Sequence, residues 1–108
     1  MAGLPLQVGV VDLKAALDRG DDIQVLDVRE PWETAIAALP GSVLIPLGAL
    51  PERAGELDPA RPVYALCHHG GRSLRATQFL RQAGFEAVNV AGGIDAWAAV
   101  IEPGMPRY

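Results

Sequence analysis

The chain is 108 residues long, half of them hydrophobic and a fifth charged, which suits one folded domain and excludes disorder as the main state. Nine basic residues against thirteen acidic ones leave a net charge of −4, the reverse of a nucleic-acid-binding footprint, and Lys14 is the single lysine. One cysteine, Cys67, excludes an internal disulfide and a zinc site built from several thiolates.

The stretch from Met1 to Gln7 has no positive charge and no long apolar run, so no signal peptide is expected. No segment approaches the ~20 apolar residues of a membrane span. The expectation is a reduced, soluble, cytoplasmic domain with neither a membrane nor a nucleic acid as partner.

A short strand is expected near Leu6–Val8. Leu13, Ala16 and Leu17 then fall on one helical stripe behind Gly9, with Asp12 in the first turn and Gly20 beyond the end. Ile23 to Val28 reads as a buried strand rich in branched residues. Pro31 stands where a helix can begin, with Trp32 and Glu33 in its first turn. Val43–Ile45 is a second strand in this run, bracketed by Pro40-Gly41 and Pro46, and Leu50–Leu57 is expected to be helical. Pro62–Cys67 is a further strand. Gly70-Gly71 leads into a long helix whose inner face is Ala76, Phe79, Leu80 and Ala83, ended by Gly84. Ala87–Val90 is the last strand, and Gly92-Gly93 turns into a final helix carrying Ile94, Trp97 and Ala98. Trp32 and Trp97 are expected in the core. Residues 102–108 are the one candidate for disorder. Strands alternating with helices at this spacing imply an α/β fold: a parallel sheet of about five strands, flanked by helices on both faces, in one domain over 1–108.

In open α/β sheets ligands bind beyond the carboxyl ends of the strands. Cys67 closes a central strand, and His68-His69-Gly70-Gly71-Arg72-Ser73 runs from it into a helix. Most free cysteines are small buried hydrophobes. This placement favours a reactive one instead. It exposes the sulfur at the mouth of the sheet, aims loop and helix amides at it, and brings the helix dipole and the Arg72 guanidinium near. Each of these stabilises an anion on sulfur. The glycines let the backbone curl into a cradle. His68 and His69 can be read as general bases, metal ligands or loop residues. Two adjacent histidines cannot complete a zinc site, so no metal is expected. Their amides are expected to line the cradle, with the rings facing solvent. Asp27 and Arg29 end a strand on the same sheet edge and are expected to pair with each other or with loop amides, supporting the site. Arg75, one turn into the helix, is expected in solvent, where it can steer an anionic donor.

The segment Cys67-His68-His69-Gly70-Gly71-Arg72-Ser73 resembles the active-site loop of single-domain rhodanese-like sulfurtransferases, Cys-x-x-Gly-x-Arg-Ser. Leu26–Glu33, Leu39–Leu47 and Val90–Trp97 resemble three further signatures of that family, in order along nearly the whole chain. The resemblance implies a five-stranded parallel sheet. It also implies a cycle without cofactor or metal, in which Cys67 takes a sulfane sulfur from thiosulfate or a persulfide. The sulfur then passes to a thiophilic acceptor such as cyanide, a thiol or a protein C-terminus. Similar domains occur fused to adenylating enzymes that serve sulfur-carrier proteins, which implies a relay partner by analogy. The chain departs from the pattern at Ala37 and Ala38, where the family often has Gly-His. It departs again at His68, where thiosulfate-using members often carry a basic residue. The first departure bears on packing under the site, the second on the choice of donor. Two alternatives stand beside this reading. One is a non-catalytic binding or regulatory module. The other is a cysteine-dependent phosphatase or arsenate reductase, whose loop sets its arginine six residues after the cysteine; Arg72 is five after Cys67.

Overall fold

The computed structural model describes residues 4–108; Met1–Gly3, part of the stretch read above as carrying no signal peptide, lie outside them. Five strands, β1 (Gln7–Val8), β2 (Gln24–Asp27), β3 (Val43–Leu44), β4 (Val63–Leu66) and β5 (Ala87–Val90), form one sheet in the order β1-β5-β4-β2-β3. Every neighbouring pair is parallel, so all five carboxyl ends share one edge. The register sets Asp27 beside both Leu44 and Leu66, and Ala65 beside Asn89. The helices are α1 (Val10–Asp18), α2 (Pro31–Ile36), α3 (Leu50–Arg53), α4 (Gly71–Gln82) and α5 (Gly93–Ala96). The expected helix over Leu50–Leu57 is in fact α3 between two 3₁₀ turns, Leu47–Ala49 and Ala54–Glu56, while α5 runs on into a wider π turn, Trp97–Ile101.

Strand side chains alternate between two cores, as a sheet covered on both faces requires. Val25, Tyr64, Leu66, Val88 and Val90 meet α1, α5 and the π turn after it through Val10, Leu13, Ile94, Trp97 and Ala98. Leu26, Val63, Ala65 and Ala87 meet Ala76 and Leu80 of α4 and Leu50 of α3. Cys67 continues the parity of Val63 and Ala65 and therefore faces α4.

Four expectations are corrected. Leu17 is exposed, and Val10 takes its place on the buried stripe of α1. Ala83 is exposed because α4 ends at Gln82. Trp97 is in the core, but Trp32 is 63% exposed: α2 is only six residues long and buries Glu33 alone. Finally, the stretch 102–108 lies packed on the domain. Met105 is buried in the α1–α5 core, and Tyr108 reaches the carboxyl edge of the sheet.

Candidate active site

Cys67 is the residue after β4, the middle strand of the sheet, and α4 begins four residues later. The intervening loop turns back over it. Gly70 adopts φ 116°, a left-handed conformation that a side chain rarely tolerates, and a Cβ there would stand 3.2 Å from the Gly92 nitrogen. In this conformation the Gly70 N–H donates to Cys67 Sγ at 3.0 Å. Ser73 Oγ, on the first turn of α4, lies 3.2 Å from the sulfur and 2.5 Å from Asn89 Oδ1. A hydroxyl has one proton to donate. It can serve the amide oxygen while the thiol S–H donates to Oγ, or turn to the sulfur once that is an anion.

The second glycine pair, Gly92-Gly93, forms the outer wall. The Ile94 N–H donates to the Cys67 carbonyl at 2.8 Å and the Asp95 N–H to the His68 carbonyl at 3.1 Å. Gly93 has φ 58°, and any Cβ on it would overlap those same two carbonyls. The turn thus clamps the backbone of the cysteine loop. Cys67 is only 1% exposed, packed in the core that faces α4, which corrects the expectation of a sulfur open at the sheet's mouth.

Arg72 is held by a carboxylate. Its Nη1 and Nη2 donate to Glu33 Oε1 and Oε2 at 2.6 and 2.8 Å. The guanidinium's hydrogen bonds therefore go to a carboxylate, and its charge is largely offset. Glu33 also accepts the Glu30 N–H at 3.0 Å and the Tyr108 hydroxyl at 2.8 Å. With the Arg72 hydrogen bonds foremost, its carboxyl is held down to about 2 from an ordinary 4.5. Asp27 and Arg29 pair with each other, side chain to side chain, with both buried. Arg29 also donates to the Ala37 carbonyl at 2.7 Å and to Tyr108 Oη at 2.9 Å, so it meets the loop only through other residues.

The two histidines are not equivalent. His69 is mostly exposed, with Nδ1 3.9 Å from Asp95. His68 is half-buried between two rings: Tyr108 at 3.9 Å and 9°, His69 at 3.9 Å and 30°. Its Nε2 is buried without a hydrogen-bond partner. Burial, and then the neighbouring His69, push the His68 pKa down, so it is neutral near pH 7. The expected pair of solvent-facing rings is thus one exposed ring and one sandwiched ring. Arg75 is exposed on α4, as expected.

Three residues at the site escaped the sequence reading: Glu33 as the partner of Arg72, Asn89 as the partner of Ser73, and Tyr108. Asn89 carries a signal, a polar residue inside an apolar strand; it is 2% exposed and its Nδ2 also donates to the Gly70 carbonyl at 3.2 Å. Glu33 stands three residues after Glu30, a spacing that announces a helix cap and nothing more. Tyr108 carries no local signal. Among the described residues no group of His, Cys, Asp and Glu is arranged to hold a metal ion, and no helix is long and apolar enough to cross a membrane.

These features define an open-sheet α/β domain centred on one cysteine, held under a glycine-rich loop at the carboxyl end of the middle strand. The pattern of the rhodanese-like domain matches residues 10–100, and the chain belongs to that family. It is 32% identical over 97 residues to the putative sulfurtransferase YtwF of Bacillus subtilis, covering 90% of this chain and 94% of that protein. It is 36% identical over 97 residues to the putative sulfur carrier protein YrkF of the same organism, covering 89% of this chain and 52% of that protein. Several other relatives are longer, and the chain spans 31% of their length or less. A crystal structure of a rhodanese-like domain protein from Staphylococcus aureus, 30% identical, superposes with a TM-score of 0.83 over 96% of this chain and 99% of that one.

Proposed function

We propose that the chain is a sulfurtransferase that carries a sulfane sulfur as a persulfide on Cys67. The observation that carries this reading is the sulfur's placement: at the end of β4, within hydrogen-bond reach of the Gly70 amide and the Ser73 hydroxyl, at the start of α4. Similarity over nearly full length to a protein named a putative sulfurtransferase supports it.

In the first half-reaction the Cys67 thiolate attacks the outer sulfur of thiosulfate or of an organic persulfide. The donor's S–S bond breaks, and sulfite or a thiolate leaves with the bonding pair. The product is Cys67–S–S⁻. Its negative charge is held by the loop amides and the Ser73 hydroxyl, as an oxyanion hole holds oxygen. In the second half-reaction a thiophile attacks the terminal sulfur and takes it, and the Cys67 thiolate is released. Cyanide would leave as thiocyanate, a thiol as a persulfide. The donor residue departs before the acceptor reacts, so the kinetics are ping-pong. Every electron pair is accounted for without metal or cofactor.

His68, His69, Gly70 and Gly71 shape the cradle. Arg72, paired with Glu33, fixes its far end, and Asp27 with Arg29 supports it from below. Similarity to a protein named a putative sulfur carrier supports a relay, in which the acceptor is a thiol or carrier group on another protein. A lone thiol suits a reducing compartment, and we place the activity in the cytoplasm.

The test is thiosulfate:cyanide turnover by the purified protein and by Cys67→Ser. The wild type should form thiocyanate and the serine variant none, with unchanged circular dichroism. Turnover by a folded Cys67→Ser protein would overturn the reading. No transfer by the wild type from thiosulfate or a persulfide would leave a binding module.

A further inference from the structure

We propose that Tyr108 is a positioning residue for the cysteine loop, holding it at both ends. Its kinetic consequence rests on the sulfur-transfer reading above; its structural consequence does not.

The segment that carries Tyr108 is fastened twice before it reaches the site. Met105 is buried in the α1–α5 core. Arg107 donates to Asp95 Oδ1 through Nη2 at 3.0 Å and Nε at 3.1 Å. The Tyr108 side chain is thereby delivered between α2 and the loop.

A phenol can accept and donate at once, and this one does both. It accepts from Arg29 Nη1 at 2.9 Å and donates to Glu33 Oε2 at 2.8 Å. Arg29 is a rigid anchor: it is fully buried and bound to Asp27 and to the Ala37 carbonyl. Glu33 in turn grips Arg72 through two hydrogen bonds. The hydroxyl therefore joins the buried Asp27–Arg29 pair to the Glu33–Arg72 pair at the far end of the loop. At the near end, the ring lies flat on His68, the residue after Cys67.

Between those two holds stand His69, Gly70 and Gly71. The glycines have no side chain to fix them, and their backbone is the most permissive in the chain. Yet it is the Gly70 N–H that must point at the sulfur. Holding both ends of so short a loop restricts the swing of its middle. Tyr108 touches one end directly and the other through Glu33. Losing the hydroxyl removes the link from Arg29 to the Glu33 carboxylate, leaving the Glu33 carbonyl on Arg29 Nη1 at 3.4 Å and the ring on His68.

The experiment uses Tyr108→Phe, Glu33→Gln, the double variant and Tyr108→Leu in the full chain. The first readout is native-state amide hydrogen exchange. In Tyr108→Phe the Gly70 amide should exchange about tenfold faster, while Ala65 and Leu66 of β4 are unchanged. The double variant should be no faster at Gly70 than Glu33→Gln alone, because both changes break one path. Tyr108→Leu, which also loses the ring, should be faster at Gly70 than Tyr108→Phe. The second readout is thiosulfate:cyanide kinetics: kcat should fall about tenfold in Tyr108→Phe with KM for thiosulfate within twofold, since a misplaced cradle costs rate more than binding. Gly70 exchange within twofold of wild type, or equal acceleration at Gly70 and in β4, would overturn the proposal. So would additive effects in the double variant, or Tyr108→Leu matching Tyr108→Phe. If the wild type transfers no sulfur, the exchange measurements still decide for or against Tyr108, and the loss falls on the sulfur-transfer reading alone.

Discussion

Replacing Glu33 by glutamine removes one charge from the centre of the site and leaves the side chain's shape. Glu33 is 3% exposed, and its carboxylate accepts from Arg72, the Glu30 N–H and the Tyr108 hydroxyl. These partners favour the charged form strongly enough to bring its pKa from 4.5 to about 2. At ~1.4 kcal/mol per pKa unit, the drop corresponds to about 3 kcal/mol between the charged and neutral side chain at pH 7. Glutamine mimics the neutral form, so Glu33→Gln should lose stability of that order at pH 7. The sign with pH follows from a folded pKa lying below the unfolded one. The wild type's advantage is complete above the unfolded value of 4.5 and fades as pH falls through about 2. Near pH 3 it should be roughly half of its neutral value or less. Urea titrations of both proteins at pH 7 and pH 3 measure it, with m-values compared to confirm two-state unfolding. A difference under about 0.5 kcal/mol at pH 7, the usual scale of a surface substitution, would refute the reasoning. A difference that does not change between pH 7 and pH 3 would also refute it.

Gly93→Ala should lower stability by roughly 1–3 kcal/mol, from its positive φ and the overlap with the Cys67 and His68 carbonyls, and should depress sulfur transfer more than tenfold; thermal unfolding and thiocyanate formation measure the two effects. Met105→Ala empties a buried site and should cost roughly 2–4 kcal/mol in urea unfolding while loosening the segment that holds Tyr108. His68 is kept neutral near pH 7 by burial and by its neighbour His69, so its ring offers no charge to a dianion. Replacing His68 and His69 by Arg and Lys should lower KM for thiosulfate without a matching rise in kcat, as added uniform binding does. An unchanged KM would place both side chains outside the donor's path.

The parts of the site that were legible in the sequence are local. β2 announces itself as a short run rich in branched residues, and β4 and β5 as short, largely apolar runs between turn residues. The cysteine loop does so because a strand end, two glycines and a helix start follow one another without interruption. What could not be read depends on partners far apart in the chain. Arg72 looks like a free cation beside the sulfur until Glu33, 39 positions away, is brought onto it by α2. Ser73 gains Asn89 from 16 positions away because β5 lies beside β4. Tyr108 meets Glu33 across 75 positions, through a tail segment that the sequence offers as a candidate for disorder and whose one buried anchor is Met105. Trp32 misled for a related reason: a large aromatic residue implies burial, but a six-residue helix has room to bury little, and here it buries the charged Glu33. The exposure of Cys67 could not be judged either, because the core it packs into is assembled from strands and helices distant in the chain.

The central claim is that sulfur rides on Cys67, and intact-mass spectrometry of the purified protein tests it most directly. After incubation with thiosulfate or an organic persulfide and removal of the donor, the wild type should gain the mass of one sulfur atom. Reductant or cyanide should remove it, and Cys67→Ser should gain nothing. A folded wild-type protein whose mass stays unchanged with either donor, or a gain that persists in Cys67→Ser, would contradict it.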